Sequence, residues 1–335
     1  MEHLVSRPDL ESLLAPLAAR VRDPRAGFFG PDSLTWRINR ESALFLGAGR
    51  AALLQLAHPW VAAAIAQHST VLNRPIVRFH NTFRIVYTML FGSLEQALAA
   101  ARSLHTLHTR IGGHLPEPAG SWPADARYEA NEVAALRWVY ATLIETAVLA
   151  YETVLPLTAA DRERYYRETK TFAALFGLPA SALPSDWAAF RAWNQQMAES
   201  PVLAVSPASR AMGEAILSGA GSWIRPPRWY RALTAAWMPP RLRESFGLTP
   251  AAGDPIEDHT EDTEDTEEPE EDQRALHRVR CWLPRLYTRM PSALRFVGPY
   301  HEAQARLGNR PLSYLAQQNN RFWIGQLRLP FGKEV

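Results

Sequence analysis

Six of the ten histidines fall between residues 58 and 114, and two of them, His105 and His108, stand three apart. Residues at that spacing share a helical face, and the apolar stripe Leu94, Ala97, Leu98, Ala101, Leu104 and Ile111 runs along or beside both. An imidazole on such a stripe needs a partner, because a buried unpaired nitrogen costs about 1–3 kcal/mol. Two partners suit it. One is a backbone carbonyl, which makes it a structural core histidine; the other is the iron of a haem, which takes one neutral imidazole in an apolar helical pocket. Upstream, "RFHNT" supplies Arg78, Asn81 and Thr82. Arg78 and Thr82 are four apart and share a face, where guanidinium, amide and hydroxyl groups could polarise bound O2 or simply meet solvent at an exposed turn.

A third set follows helical spacing through Trp138, Thr142, Glu145 and Leu149, with Thr146 beside it. It reads either as a polar element facing the core or as back-bonded threonines and a solvated glutamate. Other chemistries lack their signatures. The chain has no HExxH or Glu-x-x-His pair for zinc or di-iron, and no GxSxG elbow. Its single cysteine, Cys281, excludes an internal disulfide framework and cysteine-based metal sites. The run Gly47-Ala48-Gly49-Arg50-Ala51-Ala52 matches the dinucleotide fingerprint GxGxxA, but "ESALFL" before it reads as helix and no parallel-strand series follows. Small residues that let helices approach closely are the better reading.

The elements that must position these residues are helical. Glu41 to His68 reads as one long helix, apolar nearly all round, and a second runs from about His80 to Leu90. Ser93 with Gln96 forms a capping signature for a helix reaching Ile111, before the stop at Gly112 and Gly113. Tyr128 to Val154 is the clearest long helix, and Thr158 with Asp161 caps the next, which ends near Gly177. Proline-broken helical pieces fill 185–250, and helical patterns resume after 273. The expected fold class is all-α.

Composition sets the surroundings. With 335 residues, 47% hydrophobic, the chain can bury a sizeable core. Residues 254–272 hold 12 of the 34 acids and no Lys or Arg, which leaves 36 basic against 22 acidic residues elsewhere, about +14. Such a block is expected to be a solvated linker, giving a main domain over 1–250, a linker over 251–273 and a C-terminal helical segment over 274–335 that packs on the main domain. The arginines are scattered and form no basic stripe with interleaved aromatics, so no nucleic-acid partner is expected. The N-terminus shows no leader pattern, and Arg50, Gln55 and His58 interrupt the most apolar stretch. A cytoplasmic protein without an integral membrane segment is expected, with peripheral membrane contact left open.

The ordered set "LGAGRAALLQLAHPWVAAAIAQHS", "RFHNTFRIVYTMLFGSLEQALAAARSLHTLHTRIGG", "ALRWVYATLIETAVLAYE" and "ERYYRETKTFAALFGLP" resembles one family in sequence and spacing, over about residues 35 to 240. That family shares the catalytic domain of rubber oxygenase (latex-clearing protein) and the MpaB-type oxygenase. The resemblance implies a globin-like helical core around one haem b, with O2 and a small apolar molecule as reaction partners. It places the iron ligand at His108 in "LHTRIGG", with His105 one turn away as the alternative, and lines the pocket with His58 and His68. Arg78, Asn81 and Thr82 match a distal Arg-x-x-Lys-Thr element and carry the catalytic expectation. Asn81 replaces the lysine, Tyr140 stands where many relatives have histidine, and Gln67 stands nearest to the family's carboxylate base, a role an amide cannot fill. Two other functions keep the same scaffold: a haem-binding sensor or carrier without turnover, and a cofactor-free helical binding protein.

Overall fold

A proline decides the first large feature of the fold. The computed structural model describes residues 4–68, 75–220, 225–248, 277 and 281–323, with backbone alone over 75–79 and at 323. The acidic run 254–272 and its linker assignment lie outside the described residues. Where one helix was expected from Glu41 to His68, three segments follow one another: a 3-10 helix Ser42–Gly47, α3 Ala48–Leu56 and α4 Pro59–His68. Glu41 is extended, at φ −76 and ψ 122, so the first of these segments begins at Ser42. Pro59 has no N–H to continue the ladder and its ring disfavours helical geometry in the residue before it, so the chain turns at Ala57-His58 and restarts.

The remaining described helices are α1 Arg7–Ala18, α2 Leu34–Asn39, α5 Pro75–Phe91, α6 Leu94–His108, α7 Val133–Glu152, α8 Ala159–Leu175, α9 Trp187–Glu199, α10 Pro207–Ser218, α11 Arg228–Trp237, α12 Pro240–Ser245, α13 (281–289), α14 Ser292–Arg295, α15 Gly298–Gly308 and α16 Tyr314–Trp323. The protein is mostly helical, as its periodicity predicts. Local chemistry sets the starts of three helices. Capping boxes Ser6/Asp9, Ser93/Gln96 and Thr158/Asp161 open α1, α6 and α8, each satisfying orphan N–H groups worth about 1 kcal/mol together with the cap.

Helix α7 is the centre. Its buried side chains include Leu136, Trp138, Tyr140, Ile144, Val148 and Tyr151, and it packs against the 3-10 helix, α2, α3 and α8. It is the described helix whose length and apolarity would suit a membrane span, and here those apolar faces meet other helices. It begins at Val133 and not at the expected Tyr128. Residues Arg127–Glu129 form strand β2, paired antiparallel with β1 Gly112–His114 in the register Gly113 opposite Tyr128.

Close approach explains the glycines of the opening motif. A Cβ on Gly47 would lie 2.3 Å from Thr146 Cγ2, and one on Gly49 would lie 2.8 Å from Thr234 Oγ1. They let α3 sit against α7 and α11, which is a packing role. The described C-terminal residues dock on the same body. Glu41, fully buried, accepts from Arg295 Nε (2.7 Å) and the Tyr287 hydroxyl (3.0 Å), and the Val297 N–H reaches the Arg40 carbonyl at 2.8 Å.

Candidate functional site

Helices α5 and α6 are joined by Gly92 and Ser93 alone and pack on each other, so α6 runs back along α5 as a helical hairpin. The fold thereby returns His108, in the last turn of α6, toward the start of α5, where Arg78, Asn81 and Thr82 lie. Four residues further, Gly112–His114 forms β1, which packs against the C-terminal half of α4. There His68 Nε2 lies 3.0 Å from the Gly112 carbonyl oxygen. Gln67 Nε2 donates to the His114 carbonyl at 3.0 Å, and its Oε1 accepts the Tyr128 hydroxyl at 2.7 Å. One end of the hairpin thus collects the last turn of α6, the first turns of α5, the tail of α4 and the small sheet.

The individual side chains divide. His105 is buried and its Nε2 lies 2.9 Å from the Val5 carbonyl oxygen, which is the backbone-bonded arrangement. The carbonyl of His105 also accepts from Asn131 Nδ2 at 3.3 Å, so this turn of α6 is tied to the segment that leads into α1 and to the entry of α7. His108, three residues on, is half-buried at the helix end. Asn81 and Thr82 are exposed, and Asn81 Oδ1 accepts from Arg84 Nη2 at 3.1 Å. Arg78 lies in the first turn of α5, with its side chain outside the described residues.

His58 is not at this end. It precedes α4, one helix length of roughly 15 Å from His68. It is 1% exposed, and its ring stands 6.1 Å from Trp60 and 6.2 Å from Trp122, themselves 4.3 Å apart. Its Nδ1 and the Trp60 Nε1 are buried with no hydrogen-bond partner. Burial among indoles pushes the imidazole down to about 4, so the ring is neutral at pH 7.

Helix α3 neutralises the polar face of α7. Arg50, 5% exposed, donates to Glu145 Oε2 (2.7 Å), Thr146 Oγ1 (2.6 Å) and the Trp237 carbonyl (2.8 Å), while Gln55 Nε2 reaches Thr142 Oγ1 at 3.1 Å. The polar element facing the core is therefore a tie between helices. Tyr140 is fully buried, with its hydroxyl 2.9 Å from Thr169 Oγ1, and burial raises its pKa beyond the ordinary tyrosine range. Sequence reasoning missed the Trp60–Trp122 box and the Tyr128–Gln67 bond. Trp122 sits in the Pro/Gly-rich loop after β1, where no periodicity points to a partner.

Among the described residues no group of three His, Cys, Asp or Glu side chains could cage a metal ion. Residues 35–261 match a family described as ER-bound oxygenase mpaB/B′/rubber oxygenase, catalytic domain. The chain matches no curated protein and no solved structure. The match spans more than half of the sequence in one continuous stretch and takes in every candidate residue from His58 to His108, so this chain belongs to the family of MpaB and rubber-oxygenase catalytic domains.

Proposed function

We propose that the protein is a haem b-dependent oxygenase acting on an apolar small molecule, in which His108 would hold the iron. The observation that carries this reading is the helical hairpin that returns His108 to the end of α5 bearing Arg78, Asn81 and Thr82. The donor types at that end fit a haem. They are imidazole, guanidinium, amide and hydroxyl: one imidazole that would hold the iron, and polar groups that would hydrogen-bond O2. A bound haem would supply the centre at which O2 is activated. The commitment of His105 Nε2 to the Val5 carbonyl favours His108 over its neighbour as the ligand.

Arg78, Asn81 and Thr82 would hold and polarise O2 by hydrogen bonding, and His68, tied to Gly112, would border the ligand turn. His58, neutral and enclosed by Trp60 and Trp122, is buried at the far end of α4. The family description names rubber, an apolar substrate, which supports an apolar substrate class here.

A haem sensor or carrier is the second reading, and Gln67 favours it: both ends of its amide are engaged, and an amide cannot act as a base. Absorption spectra of the purified protein, oxidised and dithionite-reduced, with a pyridine haemochrome assay, test the proposal. Stoichiometric haem that is lost in His108→Ala and kept in His105→Ala is the expected result. Absence of a Soret band after reconstitution overturns it, and bound haem without O2 consumption in the presence of any alkene or fatty substrate leaves the carrier reading.

A further inference from the structure

Large hydrophobic side chains left in solvent are concentrated in one part of the chain. Among the described residues these are Leu4, Leu107, Trp282, Leu286, Leu294, Tyr314 and Leu315, five of which lie between 282 and 315. In α13, Trp282 (44% exposed) and Leu286 (54%) are one turn apart on the outward face, and the exposed Arg285 and Arg289 occupy that same face. The inward face is fixed: Tyr287 is 4% exposed, and Leu283 and Met290 pack with it against Ala43 and Val154. Leu294 in α14 is 60% exposed. Tyr314 and Leu315, at the start of α16, which packs on α14, are exposed as well.

Charge accompanies this apolar surface. Residues 274–335 carry eleven Lys and Arg against two acids, and of these Arg285 and Arg289 stand exposed on this face, while Arg295 is paired with Glu41. We propose that the outward face of α13 and α14 docks on an anionic lipid bilayer. An acidic peptide would satisfy the arginines and leave the indole in water. A second apolar protein face would cover the indole and leave the arginines uncompensated. A bilayer with acidic headgroups offers both phases at once: Trp282 and Leu286 enter the headgroup–acyl boundary while the Arg285 and Arg289 stems lie along it with their heads at the phosphates. The inward face of α13 is packed on the protein, so the contact is peripheral. The inference rests on exposure and charge and is independent of the haem reading.

The full-length protein is tested for co-sedimentation with vesicles of phosphatidylcholine alone and of phosphatidylcholine carrying phosphatidylserine. Binding is expected only to the second and to weaken with added salt. Replacing both Arg285 and Arg289 by Gln should lower the affinity roughly thirtyfold, at about a factor of five per arginine. Trp282→Ala with Leu286→Ser should lower it about tenfold or more, with the thermal unfolding midpoint unchanged, because these side chains are exposed. Equal binding to both vesicle types, or anionic binding that neither double variant weakens, overturns the proposal. So does a failure to bind vesicles, whether or not the protein shows a dimer that Leu286→Ser dissolves.

Discussion

His58 makes an acid-sensitive contribution to stability whose size can be worked from its surroundings. The folded protein holds the imidazole neutral down to about pH 4, whereas an exposed histidine takes its proton near 6.5. Between those values the unfolded chain binds the extra proton, so stability is full above pH 6.5 and falls as the pH drops toward 4. The complete loss is about 3 kcal/mol, and at about pH 4.5 roughly 2.5 kcal/mol has gone. His58→Phe removes the titration and keeps an aromatic ring beside Trp60 and Trp122. Because Nδ1 has no partner, the substitution breaks no bond at that atom, and a repacking cost of about 1 kcal/mol is expected at neutral pH. Urea unfolding of both proteins at about pH 7.5 and about pH 4.5 is the assay. Carboxylates held low, such as Glu11 beside Arg102, titrate alike in both, so the difference between the proteins isolates His58. Wild type should fall relative to His58→Phe by about 2.5 kcal/mol between the two pH values. A difference that stays constant would mean that the imidazole charges without penalty, and the desolvated reading of the indole box would be wrong.

His105→Ala should lower unfolding stability by about 2–3 kcal/mol, since it orphans the Val5 carbonyl and opens a cavity, and under the proposed function it should leave haem content unchanged. Haemochrome analysis beside urea unfolding checks both halves. Glu41→Gln should cost about 3 kcal/mol by stranding Arg295, and the Arg295→Met, Glu41→Met double variant should recover part of it, read as thermal unfolding midpoints. Tyr128→Phe removes the bond to Gln67 and should cost about 1 kcal/mol; a larger loss would mean that the α4–sheet contact depends on this one hydroxyl.

Local signals carried most of the fold. Ser93 with Gln96 and Thr158 with Asp161 state their helix starts within four residues, and both caps form as read. Pro59 carried a signal of the same short range, but the apolar pattern around it continues without interruption, and periodicity outweighed the proline. The start of α7 was read too early because Tyr128 continues the apolar pattern of the helix, although it belongs to a strand whose partner lies across the loop. The ion pairs were not legible. Arg50 meets Glu145 and Glu41 meets Arg295 across long stretches of chain, and a charge carries no mark of its partner. For the candidate site, sequence supplied the residue types and the order of motifs. The bond of His105 to the Val5 carbonyl joins residues a hundred positions apart, which no spacing rule connects.

The docking of the C-terminal helices has a consequence for chain continuity. Its bonds join residues near the beginning of the chain to residues near the end: Glu41 with Tyr287 and Arg295, the Arg40 carbonyl with Val297, and Arg25 with Arg306 and Asn309. The Tyr300 ring, 6.0 Å from Trp36 and 5.8 Å from Phe91, adds an aromatic anchor. None of these contacts needs the peptide bonds between 248 and 281. Any covalent connection between two partners raises their local concentration without adding to the bonds named here. The gene could therefore be split there into two open reading frames, and the two polypeptides should find each other and co-purify as one complex.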